Sequence, residues 1–169
     1  LGTAGTGGFG NWNDSIAHYN SAYLQNVITV FMILFGINFS AYFLILTRKF
    51  RQAFRIEEIR VYLGVIFVFA GLIAFNVRPM SLRESFHHAL FQVASIITTT
   101  GFSTVDFDRW PTFSRALLVL LMFIGACAGS TGGGIKCSRI LLLGKSVKKE
   151  MMCLIHPRLV RVNKMDGQR

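Results

Sequence analysis

The run Ser95-Ile96-Ile97-Thr98-Thr99-Thr100-Gly101-Phe102-Ser103 is polar, rich in hydroxyls and hinged on one glycine, yet it lies between two apolar spans. Irregular backbone survives at membrane depth only where protein covers it or water lines it, because hydrocarbon offers no hydrogen bonds. The run therefore reads as a re-entrant turn whose carbonyls face a cation path. Gly101 can take a positive φ at low cost, so successive carbonyls can be aimed the same way. Thr98, Thr99 and Thr100 add small side chains whose hydroxyls satisfy backbone groups or serve as oxygen ligands.

What precedes the turn fits this reading. Ser81-Leu82-Arg83-Glu84 has the spacing of a capping box, in which the Ser81 hydroxyl accepts from the Glu84 amide. It opens a helix of about Leu82 to Ile97, too polar at Ser85, His87, His88 and Gln92 for a full span. As a half-span it delivers the negative end of its dipole at Thr98, where a cation is favoured. His87 and His88 are neighbours and do not share a helix face, so they read as entrance or packing residues rather than metal ligands.

Composition points the same way. The 169 residues are 52% hydrophobic, with 16 Phe against 8 acidic residues and a mean hydropathy of +0.48, which favours an integral membrane protein over a soluble domain. The net charge of +10 raises nucleic acid as a partner. However, the basic residues flank apolar spans, as the positive-inside rule requires, and nucleic-acid binding is not expected. Cys127, Cys137 and Cys153 have neither disulfide-framework nor zinc spacing. Residue 1 is not Met and the chain starts in mid-motif, so a fragment of something longer is expected.

The threading divides the chain into four parts. Residues 1–46 hold a Gly-, Asn- and Ser-rich loop and the uncharged run Tyr23–Leu46, long enough at 24 residues to cross the bilayer as one helix. Asn26, Asn38 and Ser40 within it read as helix–helix hydrogen bonds. Residues 47–60 are a basic cytoplasmic linker. Residues 61–143 hold an apolar helix from Val61 to Val77, ended by Arg78-Pro79, then the half-helix, the turn, and a last apolar run from Thr112 to Leu143. Residues 144–169, with Pro157, are a second cytoplasmic linker. The two linkers carry twelve Lys/Arg (five plus seven), whereas the outside segments carry four, Arg78, Arg83, Arg109 and Arg115. Asp106 and Asp108 are either ordinary loop acids or concentrate cations at an outer mouth.

The turn has an echo. Thr6-Gly7-Gly8-Phe9 aligns with Thr99-Thr100-Gly101-Phe102, and Val30–Gly36 (VFMILFG) resembles Val119–Gly125 (VLLMFIG). The unit is a span, a half-helix, a Thr/Gly turn and a span, present here as the end of one copy and all of the next. Several such turns on one axis would make a ring of carbonyls, the architecture of a cation filter. Phe9 and Phe102 would pack outward as buttresses.

The last run is broken by Gly129-Ser130-Thr131-Gly132-Gly133-Gly134-Ile135-Lys136. This is no phosphate loop, because Ile135 separates Gly134 from Lys136 and the preceding element is a membrane helix. Gly125, Gly129 and Gly133 could be a small-residue packing ladder in a continuous helix. Three consecutive glycines favour a broken helix instead, at about 1 kcal/mol each. Lys136 and Arg139 would then lie at the inside end, near carbonyls or acids.

Taken together, Ile97–Thr104 (ITTTGFST), the GSTGGGIK loop and His156-Pro157-Arg158 resemble the TrkH/KtrB potassium-uptake proteins, most closely the TrkH branch. The resemblance covers nearly the whole chain. It implies an all-α integral membrane fold of helix–pore-helix–filter–helix pseudo-repeats, a potassium-channel-like pore, with this chain running from the second filter through the third repeat. It places the K⁺-binding filter at Thr6, Gly7 and Gly8 and at Thr99, Thr100 and Gly101, supported by Phe9, Thr98, Phe102 and Ser103. It makes Gly129, Ser130, Thr131, Gly132, Gly133, Gly134 and Lys136 a gating loop. It further implies potassium uptake across the bacterial inner membrane by a multi-pass protein, a homodimer, and a cytosolic TrkA-type nucleotide-binding regulatory partner. No cofactor is expected beyond K⁺ as the transported ion. The second filter lacks a serine after Phe9, and the first and fourth repeats fall outside the chain.

The rival reading is a membrane scaffold whose glycines only pack helices. An enzyme is not expected, since no nucleophile–base set, paired carboxylates or metal cluster is visible in plausible geometry.

Overall fold

The computed structural model describes residues 1–53, 55–77 and 81–155. Arg78-Pro79, Pro157 and His156-Pro157-Arg158 lie outside the described residues. The elements are α1 (Ala22–Phe35), α2 (Phe39–Leu46), α3 (Phe50–Ala53), α4 (Glu57–Asn76), α5 (Leu82–Ile97), α6 (Thr112–Phe123) and α7 (Cys137–Ile155). Among the described residues there is no β-strand beyond one isolated parallel pairing, Ile124 with Ile135.

The half-helix is α5, with the expected limits. The Ser81 hydroxyl accepts from the Glu84 amide at 3.4 Å. α5 sits at the centre, packed mainly on α4 and α1, with α6 against both α4 and α5. Its apolar residues are divided between two cores. Ala89, Val93 and Ile97 pack with Tyr62, Ile66, Ala70 and Ile73 of α4 and Leu118 and Leu121 of α6. Phe91 and Ala94 pack with Met32 of α1, Ile16 and Phe102.

Three boundaries differ from the sequence reading. The expected continuous helix over Tyr23–Leu46 is two helices meeting at 92°, broken at Gly36-Ile37-Asn38. Asn38 is therefore no helix–helix bond. Its side chain caps α2, accepting from the Ser40 amide at 2.8 Å. α4 starts at Glu57, inside the segment read as linker, and at 20 residues is long and apolar enough to cross a membrane. α7 continues from the glycine loop to Ile155, well past Leu143.

The outer faces are apolar. Phe67, Val68, Leu72 and Phe75 of α4, Val30 and Phe31 of α1, and Val119, Leu120, Met122 and Phe123 of α6 are all exposed. Large apolar side chains left exposed along three helices fit faces turned to lipid or to other protein.

Candidate functional site

The two Thr/Gly turns share one backbone. In the second, the Thr98 amide donates to Ala94, Thr99 to Ile96 and Thr100 to Ser95, at 3.1, 2.9 and 2.9 Å. In the first, Gly5 donates to Leu1, Thr6 to Thr3 and Gly7 to Gly2, at 3.0, 3.4 and 3.1 Å. The ladder of four-, three- and five-residue closures is the same, and the aligned residues fall at its equivalent places. The torsions agree as well: φ is +47° at Thr6 and +56° at Thr99, then +66° at Gly8 and +85° at Gly101. A β-branched residue in the left-handed region is strained, and such strain clusters where function needs it.

The hydrogen-bond pattern leaves a specific set of groups over. Carbonyls flanking the turns are used: Gly5 receives the Thr6 hydroxyl, Thr98 the Thr99 hydroxyl, and Phe102 the buried Ser95 hydroxyl at 2.6 Å. The carbonyls of Thr6, Gly7 and Gly8, and of Thr99, Thr100 and Gly101, accept no hydrogen bond among the described residues. The turns also touch, for a Cβ at Gly8 would run into the Thr100 carbonyl oxygen. Beyond them, the Ala17 amide donates to the Ser103 carbonyl at 3.2 Å, and the Ser103 amide to the Ser15 hydroxyl at 3.3 Å.

Behind the second turn, Thr98 is fully buried, its hydroxyl 2.7 Å from the Ala94 carbonyl and 2.8 Å from the Thr100 hydroxyl. Phe102 is 4% exposed and packs with Phe91, Ala94, Met32 and Ile16. Phe9, at the aligned position of the first turn, is 88% exposed. Phe102 is held by α5 and α1, and among the described residues no helix stands in the equivalent place behind Phe9. His87 bonds to Gln25 at 2.8 Å and His88 to Thr104 at 3.1 Å, so both histidines tie α5 to its surroundings. Asp106 accepts from the Asp108 amide and pairs with Arg109 at 3.2 Å. Among the described residues there is no group of three or more His, Cys, Asp or Glu that could hold a metal ion.

The glycine segment breaks its helix. α6 ends at Phe123, α7 begins at Cys137, and a loop separates them. Gly125 donates to Ile135 at 2.8 Å and Cys137 to Ala126 at 3.2 Å, so the loop's two ends run side by side. A continuous small-residue ladder through Gly125, Gly129 and Gly133 is excluded. The crown of the loop lies against both turns. The Gly133 amide donates to the Thr99 hydroxyl at 2.7 Å, and the Thr6 hydroxyl is 3.1 Å from the Thr131 carbonyl. Lys136 folds back so that its ammonium donates to the Gly132 carbonyl.

Two features of the site escaped the sequence reading. The Gly36–Asn38 break faces the glycine loop, and each satisfies the other: Cys127 donates to Gly36 at 3.1 Å and Phe39 to Gly129 at 3.0 Å. Glu58, read as part of a linker, is buried and reaches the loop's ends. The only sequence hint for the first was that the two similar runs both finish in glycine. For the second it was an acid in a basic linker just before an apolar span.

Fold and site together define a helical membrane protein in which polar turns and a glycine break meet at one place. A family model described as "TrkH: Cation transport protein" matches residues 59–169. The chain belongs to this family of cation transport proteins. It is 39% identical over 164 residues to the Trk system potassium uptake protein TrkH of Escherichia coli K12, covering 94% of this chain and 34% of that one. It is 36% identical to TrkG of the same organism, covering 96% and 35%. The crystal structure of the potassium transporter TrkH from Vibrio parahaemolyticus superposes with a TM-score of 0.92 at 32% identity, covering 99% of this chain and 37% of that one. The chain thus spans about a third of the length of the relatives it matches.

Proposed function

We propose that this chain supplies two adjacent carbonyl-lined turns of a K⁺-selective pore, with residues 129–136 as the gate beneath them. The observation that carries this reading is the pair of backbone runs, Thr6–Gly8 and Thr99–Gly101, whose carbonyls accept no hydrogen bond among the described residues. A dehydrating cation needs several such oxygens at once. Two turns of the same shape in contact are half of a fourfold arrangement, and the third repeat's helix–pore-helix–filter–helix order follows α4, α5, the turn and α6–α7. The negative end of α5 arrives at Thr98 and adds to the cation's stabilisation.

The complete protein, in this reading, takes up potassium across the bacterial inner membrane as a homodimer under a cytosolic nucleotide-responsive ring. The names of the relatives support potassium as the ion. The rival scaffold reading is disfavoured by the loop's break and by its contacts to Thr6 and Thr99.

Rubidium uptake by the full-length protein tests both halves. Gly101→Ser forces a side chain onto a φ of +85°, at about 1–2 kcal/mol, and should lower uptake or erase K⁺ over Na⁺ discrimination. Unchanged selectivity would remove the filter assignment. Deleting residues 130–134 should raise basal flux, and normal flux after that deletion would remove the gate.

A further inference from the structure

Glu58 is 3% exposed, near the start of α4. Its Oε1 accepts from the Ala128 amide at 2.7 Å and from the Ser138 amide at 3.0 Å. Those two amides stand at opposite ends of the glycine loop. Ala128 follows the extended segment that leaves α6, and Ser138 is in the first turn of α7. One carboxylate therefore clasps the base of the loop from a different helix.

The chemistry makes this clasp firm. Hydrogen bonds from amides to an ionised acceptor are shorter and stronger than neutral ones. A carboxylate in the first turn of a helix is also favoured by the dipole, and one buried without partners would be heavily penalised. The crown is held differently. Thr131 and Gly133 are exposed and meet the turns through bonds between neutral groups, the Thr6 hydroxyl to the Thr131 carbonyl at 3.1 Å and the Gly133 amide to the Thr99 hydroxyl at 2.7 Å, while the Thr131 hydroxyl reaches the Phe35 carbonyl of α1 at 3.3 Å. The loop thus has a base held from another helix by a charge and a crown that meets the turns only through bonds between neutral groups.

We propose that Glu58 is a positioning residue that pins both ends of the loop, so that only its crown moves when the path opens. This rests on the reading of residues 129–136 as a gate. Without the clasp, the base slackens and the crown no longer closes on Thr6 and Thr99.

The test is rubidium flux through the full-length protein in proteoliposomes without its regulatory partner, with the 130–134 deletion measured alongside. Glu58→Ala should raise basal flux by at least about tenfold, since either of the two charge-assisted bonds lost is by itself worth about that factor. Glu58→Gln, which keeps an oxygen at the same reach, should raise it less. Glu58→Asp, a methylene too short to meet both amides, should leak more than Glu58→Gln. Glu57→Gln, at the neighbouring acid that pairs with Lys145, should leave basal flux at the wild-type level. The Asp-over-Gln order decides the matter even where Glu58→Ala does not assemble, because a merely structural acid would lower flux in every variant. A leaky deletion together with wild-type basal flux in all three Glu58 variants overturns the clasp alone. A deletion that does not leak overturns the gate and the clasp with it.

Discussion

Gly8 and Gly101 look interchangeable in sequence, each closing a Thr-x-Gly-Phe turn, and both have positive φ. Their surroundings separate them. A Cβ at Gly101 meets nothing within 4 Å among the described residues, whereas at Gly8 it collides with the Thr100 carbonyl oxygen. Gly101→Ala should thus show conformational strain alone, about 1–2 kcal/mol. Gly8→Ala adds the displacement of a carbonyl from the neighbouring turn, about another 1–3 kcal/mol. Thermal unfolding of the two full-length variants in detergent should rank them in that order, and equal shifts would mean the turns do not abut. The glycines, the threonines and the capping serine were legible because torsion and hydroxyl chemistry are local. The contact was not, since nothing in either turn's own residues records the other.

At the scale of elements, hydropathy sees length and misses breaks. The run from Tyr23 to Leu46 has no charge, so it reads as one span, yet it bends by 92°. The polar groups freed at Gly36–Asn38 find partners on the loop about ninety residues away, and a window over one segment cannot see that compensation. The glycine loop itself was legible because consecutive glycines disfavour a helix wherever they sit. Asn38 tests the account of the bend. As a cap of α2 it should contribute about 1 kcal/mol, so Asn38→Ala should lower unfolding stability by that amount and Asn38→Ser should restore most of it. If Asn38 instead bonded a neighbouring helix, the shorter serine would fail to rescue. Such a result would remove the cap assignment of Asn38.

Across the whole molecule, charge follows the two ends of α4. At its start, Arg60, Glu57 and Lys145 line one cleft, and Arg48, Lys49, Arg51 and Arg55 line another. At its finish, Asn76 bonds Ser114 at 2.9 Å, near the loop that carries Asp106 and Asp108. α4 is 20 residues, about 30 Å at helical rise, so these ends stand a bilayer core apart. Among the described residues, Arg48, Lys49, Arg51, Arg55, Arg60 and Lys145 lie towards the start of α4, although the helix limits differ from those read in the sequence. Because Lys and Arg bias sets orientation, the basic end should face the cytoplasm. Asp108 and Lys148 are both exposed and lie at opposite ends of this arrangement. In full-length protein freed of other reactive cysteines, Asp108→Cys should react with a membrane-impermeant maleimide in intact cells. Lys148→Cys should react only after permeabilisation. Labelling in the opposite sense would invert the chain and put the glycine loop outside the turns, where it could not gate from within. Labelling of both in intact cells would place both ends on one side, and α4 could not then be a span.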